Sequence, residues 1–257
     1  SIDVSLLQST NYWKNAAQQG LPFTLNPLVL YRGYLANLAN NGFCVSTQFL
    51  FNGLVSKGIT GGIDRPLTAP EKITCGTAAG VLSGVVCGPI ELVMIQQQRQ
   101  GLGFIATSLS ILKGGASSVF RGTTGMCFRE GIYCGGYLGI MPVVREQVQR
   151  RYPESFGKTE DGARFCAALI AGPINGVLSH PPDTLKTCLQ GDLHGVKFTG
   201  YGQSVGVLVR ESGVLSLWRG YPWRLLRQMC ALFIFDKVNS ELSRILFPHA
   251  FKNSYTC

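Results

Sequence analysis

Only 14% of the 257 residues are charged and 46% are hydrophobic, with a positive mean hydropathy; a soluble domain carries about 25% charged residues. With 32 glycines, this balance points to a helical membrane protein and away from a soluble α/β enzyme. The net charge of +9 is dispersed, with no basic run or RNA-binding aromatic motif, which argues against a nucleic-acid partner.

In chain order, residues 1–8 read as the last turns of a first helix and 9–28 as a polar surface helix and loop. A helix is expected over 34–56. Its residues Asn37, Asn41, Cys44, Gln48 and Asn52 recur at steps of three or four, and Leu35, Leu38, Phe43, Phe49 and Leu50 lie opposite. On a spanning helix such a polar stripe faces a watery interior or another helix. After a loop at 57–70, a helix over 71–98 carries Gly76, Gly80, Gly84 and Gly88, a strip that admits a neighbouring backbone. A second long helix, over 163–190, carries Ala168, Gly172 and Gly176 in the same way. Residues 104–113 and 202–212 read as amphipathic surface helices, and 123–145 and 221–244 as further spanning helices.

No hydrolytic triad, P-loop or dinucleotide fingerprint is present, so neither an enzyme nor a cofactor is expected. The nine cysteines form no C-x-x-C pair, and most lie in apolar segments, where a cysteine acts as a small hydrophobe. The three histidines have no metal-ligand spacing, so no metal site is expected.

One motif organises the chain. Pro181-Pro182-Asp183-Thr184-Leu185-Lys186, with Gln190 four residues on, ends a long apolar segment. Pro181 is expected to bend the helix. Asp183 and Lys186 then share a face. Charges at membrane depth need partners, and a ring of such helices, each pairing its base with its neighbour's acid, supplies them. A second copy follows Pro89, with Glu91 in the acid position and Met94 in the base position. A weaker third copy opens the chain, with Asp3 as acid and Leu6 at the base position. A second marker, aromatic-Arg-Gly, recurs as Tyr31-Arg32-Gly33, Phe120-Arg121-Gly122 and Trp218-Arg219-Gly220. Two markers on a common period of about 90 residues make a threefold repeat, divided at 1–57 (partial), 58–150 and 151–257.

These motifs resemble those of the mitochondrial carrier family across the whole chain. The resemblance implies an all-α membrane protein, a threefold repeat of kinked transmembrane helix, short surface helix and transmembrane helix. The first helix would be truncated in this chain. It implies a multi-pass location in the mitochondrial inner membrane. It implies substrate contacts seven residues past each marker glycine, at Asn40, Arg129 and Arg227, with Asn41 and Glu130 adjoining. Arg129-Glu130 is similar to the pair found in carriers of amino-acid-like solutes. The alternative is that Arg129 pairs with Glu130 or another helix and Arg227 reaches the membrane surface. The resemblance also implies a matrix gate at Asp3, Glu91, Asp183 and Lys186. It implies cardiolipin headgroups at Arg32 and Gly33, Arg121 and Gly122, and Arg219 and Gly220.

The gates depart from the family pattern. Leu6 and Met94 replace two matrix-side bases, which leaves at best one bridge. On the opposite side, Gly53, Pro142 and Ser240 stand at the acid positions, with Ser56, Arg145 and Ser243 at the base positions. Two functions follow. The first is a carrier fold that has lost transport and serves as an accessory subunit of a large inner-membrane assembly of respiratory type. The alternative is a working antiporter of a small, amino-acid-like or other polar metabolite.

Overall fold

The structure, a computed structural model, describes residues 7–63, 65–152, 160–228 and 230. Among these, every regular element is helical. In order they are α1 (Gln8–Gln19), α2 (Pro27–Leu30), α3 (Tyr34–Thr60), α4 (Ala69–Gln100), α5 (Phe104–Lys113), α6 (Ala116–Val119) and α7 (Thr123–Cys134). A π-helical stretch (Gly135–Ile140) leads into α8 (Met141–Arg151), followed by α9 (Glu160–Gly191), α10 (Tyr201–Ser212) and a 3-10 turn (Val214–Trp218). A last helix, α11, covers 221–228. Asp3, Leu6, Ser240 and Ser243 lie outside the described residues.

The long helices have 27 residues in α3 and 32 each in α4 and α9. At about 1.5 Å per residue each exceeds a bilayer core of roughly 30 Å. Among the described residues, one of them, α4, also contains an 18-residue stretch apolar enough to cross a membrane by composition. The polar stripe keeps α3 from that class, and the structure turns the stripe inward. Asn37, Cys44 and Gln48 are buried, whereas Leu35, Phe43, Phe49 and Leu50 on the other side are exposed. That is the arrangement of a helix with lipid outside and polar groups inside.

The glycine strip of α4 faces α7. A Cβ at Gly80 would stand 2.2 Å from the Glu130 carbonyl oxygen, and one at Gly84 would stand 2.8 Å from Cys127 Cα. No side chain fits there, so the two backbones touch. For the small residues of α9, the even helix of the same unit is described only to residue 230. Gly172 has nothing within 4 Å among the described residues, and Gly176 meets side chains of Tyr221 and Gln228.

Both motif prolines lie inside continuous helices, Pro89 in α4 and Pro181 in α9. Pro181 has no N–H to give the carbonyl four residues back. That carbonyl, of Val177, accepts instead from Trp218 Nε1 at 3.1 Å. Pro142 has the same defect in the even helix of the second unit. The backbone widens into the π-helical stretch just before it, which relieves the clash between its ring and the carbonyl of Leu138.

α1 corrects the expectation of a surface helix over 9–28. Eight of its twelve residues are buried, Asn11, Lys14, Asn15 and Gln18 among them. It packs against α9. Trp13 meets Trp223 of α11 with ring centroids 4.9 Å apart, and Phe23 stacks on Trp13 at 5.2 Å. The first and last units are thereby in contact.

Candidate functional site

The three marker glycines fix the register of the units. Gly33, Gly122 and Gly220 have φ of 72°, 76° and 82°, a left-handed conformation that glycine adopts without the Cβ penalty. Each also sits against a carbonyl of the next unit. A Cβ at Gly33 would be 3.1 Å from the Met94 oxygen, at Gly122 3.2 Å from that of Lys186, and at Gly220 2.8 Å from that of Lys14. Met94 and Lys186 are the base positions of their motifs. By the same relation the base position of the first unit belongs to Lys14 and not to Leu6. Asn11 then takes the acid position in place of Asp3.

The side chains follow this register around a ring. Lys186 Nζ lies 2.6 Å from Glu91 Oε1 and 3.2 Å from Asp183 Oδ1. Lys14 Nζ lies 2.8 Å from Asp183 Oδ2. At the third junction Asn11 Nδ2 meets Met94 Sδ at 3.9 Å. Two junctions are therefore ion pairs, where the sequence allowed one. The third is neutral on both sides. That is physically coherent, because removing both partners of a buried pair is nearly neutral, whereas removing one strands a charge.

A second tier closes over the ring. Gln18, four residues after Lys14, donates to Asp183 Oδ2 at 3.0 Å. Gln98, four after Met94, accepts from Asn15 at 2.7 Å. Gln190, four after Lys186, donates to the Gly88 carbonyl at 3.3 Å. A Gln four residues past each base position was the sequence signal that could have placed Lys14.

Two arginines enter from the other helices. Arg129 of α7 pairs with Glu130, reaches Glu91 Oε2 at 3.4 Å and brings Nε to 3.7 Å from Asp183 Oδ1. Arg224 of α11 donates to Ser179 Oγ at 2.7 Å and lies 3.9 Å from Asp183 Oδ2. Sequence counting had chosen Arg227, one turn further along; it is half-buried on the same helix. Four cations (Lys14, Arg129, Lys186, Arg224) thus surround three carboxylates (Glu91, Glu130, Asp183) among the described residues. Glu130 is fully engaged, since Gln48 Nε2 donates to its second oxygen at 2.9 Å. Arg129 and Glu130 therefore satisfy each other as well as the ring.

Asn40 and Asn41 sit higher on α3. Asn40 is buried, and its Oδ1 accepts no hydrogen bond among the described residues. Asn41 Nδ2 donates to the carbonyl and the Oδ1 of Asn37, each at 3.1 Å. On the opposite side of the bundle, Gly53, Ser56, Pro142 and Arg145 stand where acids and bases were sought. The ion pair nearby is Lys72–Glu146 at 2.6 Å, which is partly exposed.

The candidate lipid residues divide. Arg32 is exposed. Arg219 donates to Ser212 Oγ at 3.4 Å. Arg121 is spent inside: it donates to the carbonyls of Leu189 at 3.0 Å, Asp192 at 2.6 Å and Phe198. A guanidinium there satisfies the free carbonyls at the C-terminus of α9 and suits its dipole. That corrects the expectation of an Arg121 side chain held out for a headgroup.

Comparison with known proteins agrees with this architecture. A probable mitochondrial 2-oxodicarboxylate carrier of Dictyostelium discoideum is 25% identical over 78% of this chain and 68% of its own length. A mitochondrial arginine transporter of Arabidopsis thaliana is 30% identical over 76% of this chain and 66% of its own. A mitochondrial glycine transporter of Saccharomyces cerevisiae is 27% identical over 78% of this chain and 69% of its own. The family model described as mitochondrial carrier protein matches residues 65–152 and 158–248, and the chain belongs to that family.

Proposed function

We propose that the protein carries a small polar solute across the mitochondrial inner membrane, which it spans several times. The ring of Lys14, Glu91, Asp183 and Lys186 is its matrix-side closure. The observation that carries this reading is that Arg129, at a position where the family contacts solute, is tied directly to ring carboxylates at 3.4 and 3.7 Å. A solute carboxylate that draws Arg129 away removes a counter-charge from Glu91 and Asp183 and loosens the closure. Binding energy then offsets the cost of opening, which alternating access requires. The neutral junction, Asn11 with Met94, lowers the number of ion pairs to be broken from three to two. Helix starts after Gly33, Gly122 and Gly220 are suited to phosphates of an anionic lipid such as cardiolipin.

The test is exchange of radiolabelled amino acids, dicarboxylates and other small metabolites by the purified protein in liposomes. At least one solute is expected to exchange, and Arg129→Ala is expected to abolish that exchange while the protein stays folded.

A second reading, an accessory subunit of a larger inner-membrane assembly without transport, is favoured by one observation. Gly53 and Pro142 offer no acid for a closure on the opposite side. Its mark would be the absence of exchange across the whole panel, together with native migration inside a much larger particle.

A further inference from the structure

Gln48, from the inward stripe of α3, closes over the acid of α7. Its Nε2 donates to Glu130 Oε2 at 2.9 Å, and the Cys44 thiol, one turn earlier on α3, donates to Glu130 Oε1 at 3.9 Å. Arg129 Nη2 pairs with that same Oε1. From behind, the Glu130 backbone is pressed against Gly80 of α4, where no side chain fits. The result is an uneven pair: the side chain of Glu130 is 3% exposed and that of Arg129 18%. A solute that enters between the helices therefore meets the guanidinium, while the carboxylate beside it is covered by Arg129, Gln48 and Cys44.

We propose that Gln48 is a specificity-determining residue, and that the solutes it selects are carboxylates without an ammonium group, such as oxo acids. The inference rests on the transport reading above and narrows it. An uncovered Arg129–Glu130 pair would hold a zwitterion, with the carboxylate on Arg129 and the ammonium on Glu130. With Gln48 and Cys44 over Glu130, the ammonium of such a solute has no counter-charge there, and an unpaired charge out of water is costly. Glu91 and Asp183 do not substitute, because an ammonium in the place of Arg129 restores their counter-charge and leaves the ring shut. The same hydrogen bond serves Arg129. While Gln48 holds Glu130, Arg129 keeps one partner when a solute carboxylate draws it from Glu91 and Asp183, 3.4 and 3.7 Å away. The competing account, a glutamine that only satisfies a buried carboxylate, predicts a change in stability and none in selectivity.

The test is exchange, by the purified full chain in liposomes, of solute pairs that differ only in an oxo or an ammonium group: 2-oxoglutarate against glutamate, and pyruvate against alanine. The parent is expected to exchange the oxo acid of a pair at least about tenfold faster than the amino acid, a ratio that needs no variant. Gln48→Met keeps the length of the side chain and removes the donor. It is expected to shrink that ratio at least about fivefold by lowering the KM for the amino acid. Gln48→Met/Glu130→Gln is expected to lose the gain, and thermal unfolding reports that each variant is folded. A parent that exchanges the amino acid as fast as the oxo acid would overturn the inference and leave the transport reading standing. So would an unchanged ratio in folded Gln48→Met, or exchange confined to solutes that carry an ammonium. Absence of exchange across every solute defeats the transport reading and this inference with it.

Discussion

The two ends of the bundle are built on different physics. At the ring end, Lys186 and Asp183 have side chains 0% and 1% exposed and every charge meets at least one counter-charge. At the other end, roughly 28 Å away along α4 by helix rise, the pairs are Lys72–Glu146 and Arg65–Glu71. Their side chains are 24% to 40% exposed. Exposed pairs are worth about 0–1 kcal/mol. Buried pairs have spent their hydration, so each partner is held by the other. The difference teaches that closure at the ring end is specified by charge, and that at the other end nothing comparable opposes opening among the described residues.

The largest expected effect breaks the ring. Lys186→Met takes from Glu91 its shortest ion pair, leaving it Arg129 at 3.4 Å, and takes one of several partners from Asp183; removing one partner of a buried pair costs roughly 3–5 kcal/mol. A fall of at least about 6 °C in the melting temperature of the detergent-solubilised protein is expected. Lys72→Met, at the exposed end, should lower it by no more than a degree or two.

Next comes the contact between α4 and α7, which supports both ends. Gly80→Val must displace the Glu130 backbone, and overpacking of this kind costs roughly 1–3 kcal/mol. Thermal unfolding should show the loss without a change in the Lys72–Glu146 end.

A smaller effect sharpens the account of the neutral junction. Asn11→Asp alone and Met94→Lys alone each add an unpaired buried charge and should destabilise. The double variant should recover, with a coupling of about 1–3 kcal/mol in a double-mutant cycle.

Smallest is a pH effect at the surface turn after α9. Burial raises the Asp192 carboxyl, but hydrogen bonds from the backbone N–H groups of Phe198, Lys197 and Val196 outweigh it, and the net shift is downward. A lowered carboxyl contributes stability above its unfolded value near 3.8, and that contribution is lost as pH falls through the lower folded value. Asp192→Asn should flatten this acid limb of a stability profile by lowering stability at neutral pH, with the two proteins converging at acid pH, where the parent carboxyl is protonated.

Much of this was legible in the sequence. Two acids and a base of the ring, the glycine strip of α4 and the inward stripe of α3 all follow from short-range spacing, which helix geometry fixes. The first unit was misplaced because the spacing from motif to marker glycine is not fixed by geometry. It shrinks from Lys186–Gly220 through Met94–Gly122 to Lys14–Gly33. The surface segment shortens with it, to the four residues of α2 in the first unit. Placing the first copy a full period of about 90 residues before Pro89 therefore overshot to Leu6. Arg224 was missed for another reason: at a helix start, side-chain length decides which of two arginines reaches Asp183, and spacing does not carry that.

The most direct measurement is proximity at the first junction. Cysteines placed at positions 11 and 94 should be joined by a short thiol cross-linker, identified as a linked peptide by mass spectrometry, because Asn11 and Met94 face each other across the ring. Cysteines at positions 3 and 94 should not be joined. Linkage of 3 to 94 without linkage of 11 to 94 would contradict the register, and with it the pairing of Lys14 with Asp183.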